Sequence, residues 1–320
     1  VALDMVPCTR LFLARLQPQL IIFMETELWP NLIHQCANKK IKLLLINGRL
    51  SANSMKSYQK INTLITPALN SFDKILCQSK DNLSNFLQLG ATPTQCQISG
   101  NLKFDISINE QTRQKEAHLR TLLPTDRPIW LMASTHQGDE DIALSAFKEI
   151  KQLFPQLLLV LVPRHPERFN TVAKLCVNHN YSLLKRSDNI AVTTQDIWLL
   201  DTLGELMAAY ALADIVTMGG SFSNIGGHNP LEPALFKKPI IVGSDMSNFT
   251  DVLLQLKQSQ GIVQLPLLEH EQVQPLVQAV ISLLNDTSAA NILGQQAHNV
   301  VLNNQGASNR TLAQVIKLLK

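Results

Sequence analysis

The feature that most constrains the fold of this chain is the alternation of short apolar runs with longer amphipathic stretches along most of its length. The apolar runs Leu20–Glu25 and Lys42–Asn47, for example, are separated by the helical pattern of Asn31–Lys39. Parallel strands need a crossover connection between them, and a helix of this length commonly supplies it. The sequence therefore predicts an α/β fold with parallel sheets.

The alternation is interrupted by the polar segment from Asp105 to Arg127, which indicates a linker that contains a helix. Before it we expect strands at Leu20–Glu25, Lys42–Asn47, Lys74–Gln78 and Gln97–Gly100. After it we expect strands at Ile129–Ala133, Leu157–Val162, Tyr181–Leu184, Ile197–Leu200, Asp214–Met218, Pro239–Val242 and Gly261–Gln264. The chain from Glu271 to Lys320 is predicted to be helical, with a break near residues 303–306.

These patterns predict two Rossmann-like, doubly wound domains that face a cleft. Residues 1–105 would form the remainder of an N-terminal domain on the acceptor side, and residues 106–127 the linker. Residues 128–305 would form the nucleotide-binding domain. Residues 306–320 would form a C-terminal helix, with packing against the first domain as one option.

The composition fits a globular protein, because 45% of the 320 residues are hydrophobic and 17% are charged. A net charge of +3 is too weak to indicate a nucleic-acid partner, although it suits an anionic substrate or a membrane surface. The apolar runs are too short to span a bilayer, and no signal peptide is visible. Dispersed cysteines predict reduced thiols in a cytosolic compartment rather than disulfides or zinc: Cys8, Cys36, Cys77, Cys96 and Cys176.

The segment from Gly219 to Glu232 carries the strongest signal for a ligand, because four glycines follow a predicted strand and precede a helix. Asn229 suits the helix N-cap and Pro230 the first turn, so we expect bare N–H groups that attract a phosphate. Glu232, one turn on, could accept hydrogen bonds from both hydroxyls of a ribose. The competing interpretation is a glycine-rich turn that merely connects a strand to a helix.

Arg164 follows the apolar run Leu157–Val162, beside Pro163 and His165. At the carboxyl end of a parallel strand, such an arginine would point into the ligand crevice and could hold a phosphate or carboxylate bidentately. The alternative is a surface ion pair between Arg164 and Glu167.

Two further strand ends offer candidate ligand groups, each with a purely structural alternative. The hydroxyls of Ser134 and Thr135 could cradle an oxyanion, or they could be ordinary helix caps. Gly204 and Glu205 would place backbone groups on the crevice side, unless the segment is simply a helix capped by Asp201. The spacing of the nearby histidines does not match a zinc site: His136, His165 and His228.

Several long motifs together carry a resemblance to a known family: Glu25-Thr-Glu-Leu-Trp-Pro-Asn-Leu, Asn47-Gly-Arg-Leu-Ser51, Gly100-Asn-Leu-Lys-Phe-Asp105, Pro163-Arg-His165, Gly219-Gly-Ser-Phe and Gly226-Gly-His-Asn-Pro-Leu-Glu232. In these motifs, and over essentially its whole length, the chain resembles the 3-deoxy-D-manno-octulosonic acid (Kdo) transferases of lipopolysaccharide synthesis. The resemblance implies a GT-B fold. It also implies an inverting, metal-independent transfer of Kdo from CMP-Kdo to a lipid A precursor, lipid IVA, without a cofactor.

The resemblance also implies roles for individual residues. Glu25 and Lys103 match the pair that stabilises the transition state. Together with the strand-end and loop residues above, the full set of candidate CMP-Kdo contacts is Ser134, Thr135, Pro163, Arg164, His165, Gly204, Glu205, Leu206, Gly219, Gly220, Ser221, Asn224, Gly226, Gly227, Asn229 and Glu232. Without the resemblance, Glu25 and Glu27 would read as an acidic pair at a helix start, and Lys103 as a surface lysine.

Members of this family begin with a membrane-anchoring segment and a subregion that bears the general base. We expect both to lie before Val1, so that this chain alone would bind CMP without turnover. The expected location is the cytoplasmic face of the bacterial inner membrane, with a peripheral or anchored attachment. Two alternatives stay open: another GT-B enzyme such as a UDP-sugar transferase or epimerase, and a non-catalytic CMP-binding fragment.

Overall fold

The computed structural model describes residues 3–124, 126–267 and 272–320. The chain divides into two compact units, of which the first comprises Val1–Asp105 with Asn304–Lys320 and the second Ile106–Asn303. The strands are β1 Leu20–Met24, β2 Lys42–Gly48, β3 Lys74–Cys77, β4 Cys96–Ile98, β5 Ile129–Thr135, β6 Leu158–Pro163, β7 Leu183–Lys185, β8 Ile197–Leu199, β9 Ile215–Met218, β10 Ile240–Val242 and β11 Val263–Gln264.

The helices alternate with these strands in both units. They are α1 Val6–Leu16, α2 Pro30–Asn38, α3 Ala52–Gln59, α4 Asn62–Asn70, α5 Lys80–Gln88, α6 Glu110–Leu122, α7 Asp139–Leu153, α8 Phe169–Asn178, α9 Leu206–Leu212, α10 Leu231–Leu235, α11 Thr250–Gln258, α12 Val273–Asn285, α13 Thr287–Asn304 and α14 Ala307–Leu319. Within the described residues, no single helix is long and apolar enough to cross a membrane. Only α12 combined with α13 and α14, which follow it after a sharp bend, would be long and apolar enough.

The first unit is built on a parallel sheet with the strand order β1-β2-β3-β4. Its strand β2 is buried along most of its length, and Leu43, Leu45 and Ile75 belong to one apolar cluster with helices of the same unit. A strand that is covered on both faces needs a continuous apolar run, which explains why the sequence pattern located it.

The second unit is built on a seven-stranded parallel sheet with the order β11-β10-β9-β5-β6-β8-β7. The chain leaves the central strand β5 in one direction through β6 and returns on its other side with β9, so that a topological switch point lies between β5 and β9. Trp130 on β5 donates a hydrogen bond from Nε1 to Thr217 Oγ1 on β9 at 2.9 Å, inside the core. Ligands of such sheets bind beside the carboxyl ends of strands at the switch point.

Helix α6 lies in the segment that the sequence predicted to be a linker. It packs against α9, and Lys115 on α6 donates a hydrogen bond to the carbonyl oxygen of Gly204 at 2.8 Å. Both partners belong to the second unit, so this helix is part of that unit.

The C-terminal region is helical with the predicted break near residues 303–306, but it contains one further break. A break at Asp286 separates α12 from α13, in addition to the break before α14, and Glu271 lies outside the described residues. Asp286 has non-helical backbone angles (φ −122°, ψ 83°), and its Oδ1 accepts a hydrogen bond from the Ala289 amide at 2.8 Å. Aspartate favours such caps over helix interiors, which accounts for the break.

Helix α14 is held within the first unit by a remote carboxylate. Asp105 accepts hydrogen bonds from the backbone amides of Gly306, at 2.6 Å, and of Ser308. Arg310 on the same helix donates from Nε to the carbonyl oxygen of Ser99 at 2.7 Å. The chain therefore returns to the first unit through hydrogen bonds to the start of α14.

We expect Asp105→Ala to lower the free energy of opening of α14 by about 1–2 kcal/mol, as for the loss of a helix cap. Partial burial raises the pKa of Asp105, but hydrogen bonds from Ser308 and Gly306 outweigh it and lower the pKa below its ordinary value. The stabilisation is therefore present above the ordinary pKa and lost as the pH falls through the lowered one. Amide hydrogen exchange of α14 measures it, and the exposed Asp81→Ala, on α5, is the control. Equal exchange in both variants would contradict the prediction.

Candidate functional site

The candidate site of the second unit is assembled where β5, β6 and β9 end. The amide of Arg164, just after β6, donates to the carbonyl oxygen of Thr135 at 3.0 Å, and the amide of Gly219, just after β9, donates to Ala133 O at 2.7 Å. Three segments that are far apart in sequence thus meet at the carboxyl edge of the sheet, beside the switch point.

Gly219 is required by this close approach. A Cβ atom at this position would lie 2.6 Å from the carbonyl oxygen of Ser134 and 2.7 Å from Thr135 Cα, closer than side chains tolerate. Ser134 itself adopts a left-handed backbone conformation (φ 54°), which costs a residue with a side chain about 1–3 kcal/mol. Such a backbone conformation persists only where surrounding contacts stabilise it. Here the pairing of β5 with β9 and the hydrogen bond from Gly219 to Ala133 stabilise it.

A buried carboxylate ties the two loops together. Asp139, at the start of α7, accepts hydrogen bonds at Oδ2 from the amides of His136 (2.8 Å) and Gly220 (2.7 Å). Its side chain is fully buried, and this burial raises the pKa of Asp139 to about 6. The loop after β5 and the loop after β9 therefore share one anchor.

Thr135 was predicted as part of an oxyanion cradle, but the structure does not present its hydroxyl to a ligand. Thr135 Oγ1 donates to Glu140 Oε1 at 2.5 Å, and both residues are fully buried. Arg168 forms a two-pronged ion pair with the Glu140 carboxylate, at 2.7 and 2.9 Å. This network of buried polar side chains stabilises the loop after β5.

The glycine amides of the loop after β9 form hydrogen bonds within the protein. Besides Gly219 and Gly220, the Gly226 amide donates to Asp245 Oδ2 at 2.8 Å and the Gly227 amide to the carbonyl oxygen of Gly220 at 2.9 Å. A Cβ on Gly227 would lie 2.2 Å from Met246 Sδ, so its lack of a side chain serves packing. The four glycine amides are therefore committed within the protein.

The remaining residues of this loop divide between the interior and the surface. Ser221 is buried, with its hydroxyl donating to Met218 O and accepting from the Gly243 amide, both within 2.7 Å. Asn224 is exposed with a positive φ of 54°. Ser221 therefore reaches a ligand only through its neighbours, whereas the side chain of Asn224 is accessible.

Glu232 lies on α10 in a buried polar cluster. Its Oε1 is 3.5 Å from Asn229 Nδ2. Burial raises the pKa of Glu232, and this is partly offset by hydrogen bonds from Asn229 and Tyr210 and by the charge of Arg164. Burial beside Glu232 also raises the pKa of Tyr210 well above its ordinary value. Sequence reasoning missed Tyr210, since an apolar helix position gave no sign of it.

Helix α10 begins one residue later than predicted and is only five residues long. Asn229 Oδ1 nevertheless accepts from the Leu231 amide at 3.2 Å, which is the capping bond that the sequence suggested. A helix this short has a small dipole, so side chains rather than the helix must supply most of the attraction for an anion.

Arg164 is exposed at the end of β6, and among the described residues no carboxylate pairs with it. Glu167, the partner that the competing interpretation proposed, lies 4.0 Å from His165 Nδ1 instead. The positive charge of Arg164 acts to lower the pKa of Glu232, so the guanidinium lies near enough to the carboxylate to act on it.

The structure also brings together three histidines that the sequence gave no reason to combine. His136 Nε2 and His228 Nε2 are 2.8 Å apart, and the His165 ring meets the His136 ring edge-on at 5.3 Å. They follow β5, β6 and β9, so knowing the strand order would have predicted the cluster. In the described part of the chain, no group of three or more His, Cys, Asp and Glu side chains is placed to hold a metal ion.

The Gly204-Glu205-Leu206 segment precedes α9 and is fixed by its neighbours. Glu205 is buried and forms an ion pair with Arg186 at 3.0 Å. Asp201 does not cap α9; it accepts hydrogen bonds from the amide and hydroxyl of Ser187. The Glu205 carboxylate is therefore occupied, and any ligand contact here falls to backbone groups and to Leu206.

In the first unit, Glu25 and Lys103 lie beyond the carboxyl ends of β1 and β4. Glu25 has a left-handed backbone (φ 59°), and its Oε1 is 3.4 Å from Asn47 Nδ2. Asn47 Oδ1 in turn accepts from the amide of Leu102, the neighbour of Lys103, at 3.0 Å. Helix α2 begins only at Pro30, so Glu25 and Glu27 are not a helix-start pair.

The comparisons with known proteins decide the family. A family model described as 3-deoxy-D-manno-octulosonic-acid transferase (kdotransferase) matches residues 1–106. The 3-deoxy-D-manno-octulosonic acid transferase of Haemophilus influenzae is 39% identical over 302 residues, covering 94% of this chain and 70% of that protein. The chain belongs to the Kdo transferase family. A Rickettsia felis member of the family is 34% identical, covering 99% of this chain and 67% of its own length.

Solved structures agree with this assignment. The C-terminal CMP-Kdo binding domain of WaaA from Acinetobacter baumannii is 29% identical with a TM-score of 0.53, covering 60% of this chain and 96% of that domain. UDP-GlcNAc 2-epimerase from Neisseria meningitidis matches 98% of this chain and 80% of its own, with a TM-score of 0.62 and 13% identity, a likeness of fold alone. The fold is of GT-B type, as the Kdo transferase resemblance implied.

We expect Arg168→Ala to destabilise the second unit by about 3–5 kcal/mol, because it leaves the fully buried Glu140 charge without its partner. The matched control is Arg120→Ala, which removes an exposed pair with Glu116 and should cost under about 1 kcal/mol. Urea unfolding of the two variants measures the decrease in the free energy of unfolding. Equal decreases would show that the buried ion pair contributes no more to stability than the exposed one.

Proposed function

We propose that this Kdo transferase family member moves Kdo from CMP-Kdo to the lipid A precursor lipid IVA, with inversion and without a metal ion or other cofactor. The observation that carries the proposal is that Arg164, after β6, and the loop from β9 to Glu232 both meet the end of β5 beside the switch point of the second unit, in a chain 39% identical to a Kdo transferase. A guanidinium can bind the phosphate of a nucleotide and an acid its ribose hydroxyls.

The nucleoside end of the donor is assigned to the cluster around Glu232. Its carboxylate can accept hydrogen bonds from two adjacent ribose hydroxyls, while Asn229 and Tyr210 fix its orientation. Because Glu232 is partly buried, hydrogen bonds from the hydroxyls of a bound ribose would further compensate for the loss of water around its carboxylate.

The phosphate end is assigned to Arg164. Arg164 is exposed, its charge acts to lower the pKa of Glu232, and its guanidinium can bind two phosphate oxygens at once. The backbone around Gly204 and the exposed Asn224 would border the same donor.

The reaction breaks the bond between the anomeric carbon of Kdo and a phosphate oxygen, and CMP leaves with the electron pair. The acceptor hydroxyl forms the new bond on the opposite face and gives its proton to a general base. Glu25 is assigned to stabilise the cation-like sugar centre, as carboxylates do in glycoside hydrolysis. Lys103 is assigned to the donor carboxylate or an acceptor phosphate.

The acceptor is proposed to reach the first unit from a membrane surface, with the protein at the cytoplasmic face of the inner membrane. The first unit exposes a group of cationic side chains, each able to contribute about 1 kcal/mol beside anionic lipid: Arg10, Arg15, Lys39, Lys40, Lys56 and Lys60. Lys42 is also exposed but forms an ion pair with Asp73 at 3.0 Å.

Titration with CMP and UDP separates the proposal from a UDP-sugar enzyme of the same fold. We expect CMP to bind and Glu232→Ala to weaken CMP binding by about 1.5–3 kcal/mol, the cost of losing hydrogen bonds to a charged group. Glu167→Ala is the control, because Glu167 is 75% exposed. Tighter binding of UDP than of CMP, or unchanged CMP affinity in Glu232→Ala, would remove the cytidylate from this site.

A second experiment addresses Glu25. We expect Glu25→Gln to lower the transfer rate by at least about 100-fold, because charge stabilisation of this kind is lost with the carboxylate. CMP affinity should stay unchanged, since Glu232 and Arg164 bind the nucleotide. Glu27→Gln, which neutralises an exposed neighbour, is the control. Both substitutions are compared in a form of the protein that catalyses the transfer. A similar small effect of both substitutions would exclude Glu25 from the chemistry.

A further inference from the structure

The hydrogen-bonded pair of His136 and His228 has no role in the function proposed above. The two rings are nearly parallel, with an angle of 6° and centroids 5.0 Å apart, and the Nε2 atoms are 2.8 Å from each other. Both side chains are half-buried, and a Cβ on Gly220 would lie 3.0 Å from the His228 ring, so the glycine turn packs against the pair.

A nitrogen-to-nitrogen hydrogen bond constrains the protonation of the pair. One ring must donate from Nε2 and the other must accept with its lone pair, because two Nε2–H groups would clash at this distance. The pair therefore holds either no charge or a single charge. In the neutral pair one Nδ1 atom carries a hydrogen that it can donate to a ligand, and in the singly charged pair both Nδ1 atoms do.

The surroundings set the free pair to its neutral state. Burial, then the charges of His136 and Arg164, lower the pKa of His228 to about 4. Burial and the neighbouring His165 and Arg168 likewise lower the pKa of His136. The charged and titratable groups that surround the pair are Arg164, His165, Arg168, Glu140 and Asp139. The charge of Arg164 acts in addition on Glu232.

The donor is more negative than the fixed charges of this site can balance. CMP-Kdo carries a phosphodiester and a carboxylate, and the departing CMP carries a second phosphate charge. The four glycine amides of the loop already donate within the protein, and Arg168 is neutralised by Glu140. Arg164 is the cation whose charge acts to lower the pKa of Glu232, and among the described residues no carboxylate forms an ion pair with it.

We propose that His136 and His228 bind the anionic group of the donor and take up one proton from solution as they do so. This inference rests on the proposed function, since it assigns further donor contacts at the same site. The added proton binds Nδ1 of the ring that donates from Nε2, so that both Nδ1 atoms then carry a hydrogen, and the resulting cation adds to the positive charge of Arg164. No bond of the donor is made or broken in this step.

The direction in which donor affinity changes with pH follows from the negative charge of the ligand. An anion in contact favours the protonated pair, so the pair binds a proton in the complex but not in the free protein. Affinity therefore increases as the pH falls, by up to about tenfold per unit, the limit for one linked proton. The effect ends where the free pair itself becomes protonated.

The test uses the methyl ester of CMP, whose phosphodiester does not titrate near neutral pH, whereas the second ionisation of free CMP lies near pH 6. Binding enthalpies at pH 7.5, in two buffers of different ionisation enthalpy, give the number of protons taken up. Asp139, with its pKa at about 6, is ionised at this pH. We expect between about half and one proton per ligand for the unsubstituted protein.

Variants assign the proton. His136→Asn and His228→Asn keep hydrogen-bonding groups but cannot titrate, so each should abolish proton uptake and flatten the pH dependence between pH 6 and pH 8. His179→Asn is the matched control, an exposed histidine after α8. Thermal melting checks that each variant is folded, and the unsubstituted protein tests the proposal by itself if a variant is not.

The outcomes separate this inference from the proposed function. Binding without proton uptake, or uptake that persists in both variants, would overturn the role of the histidine pair while the cytidylate site stands. Absence of binding to the unsubstituted protein would overturn the proposed function and the inference with it.

Discussion

The site of the second unit depends on the buried carboxylate of Asp139. Its two hydrogen bonds, to the amides of His136 and Gly220, join the loop after β5 to the loop after β9 across the switch point of the sheet. A carboxylate is a strong acceptor in a desolvated setting, and losing either donor would leave a buried charge short of a partner. The positions of the glycine turn and of the histidine pair both follow from this anchor.

Much of the fold could be predicted because strands buried on both faces need continuous apolar runs. β5 and β6 are buried throughout, and both were located from sequence; the α/β class, the GT-B type and the family are confirmed. Local sequence patterns do not determine the order of strands in a sheet. The contact between His136 and His228, which are 92 residues apart, could therefore not be predicted. Nor could the internal bonding of the glycine amides, because it depends on Asp139 and Asp245.

The two units show different ways of building a site at the carboxyl ends of parallel strands. In the first, strained backbone supplies the orientation: Glu25 and Asn47 both have positive φ, and Asn47 links the end of β1 to the segment of Lys103. In the second, buried ion pairs supply it, with Glu140–Arg168 under Thr135 and Glu205–Arg186 under Gly204. Neither arrangement is visible in motif spacing, since each joins residues that sequence places apart.

The enclosure of the Glu140–Arg168 pair has a consequence for behaviour in salt. Mobile ions cannot approach a carboxylate that is 0% exposed, so this pair is screened little at high ionic strength. The exposed lysines of the first unit are screened within a Debye length of about 8–10 Å. Added salt would therefore weaken the proposed attachment to an anionic lipid surface, while the framework of the second unit keeps its shape.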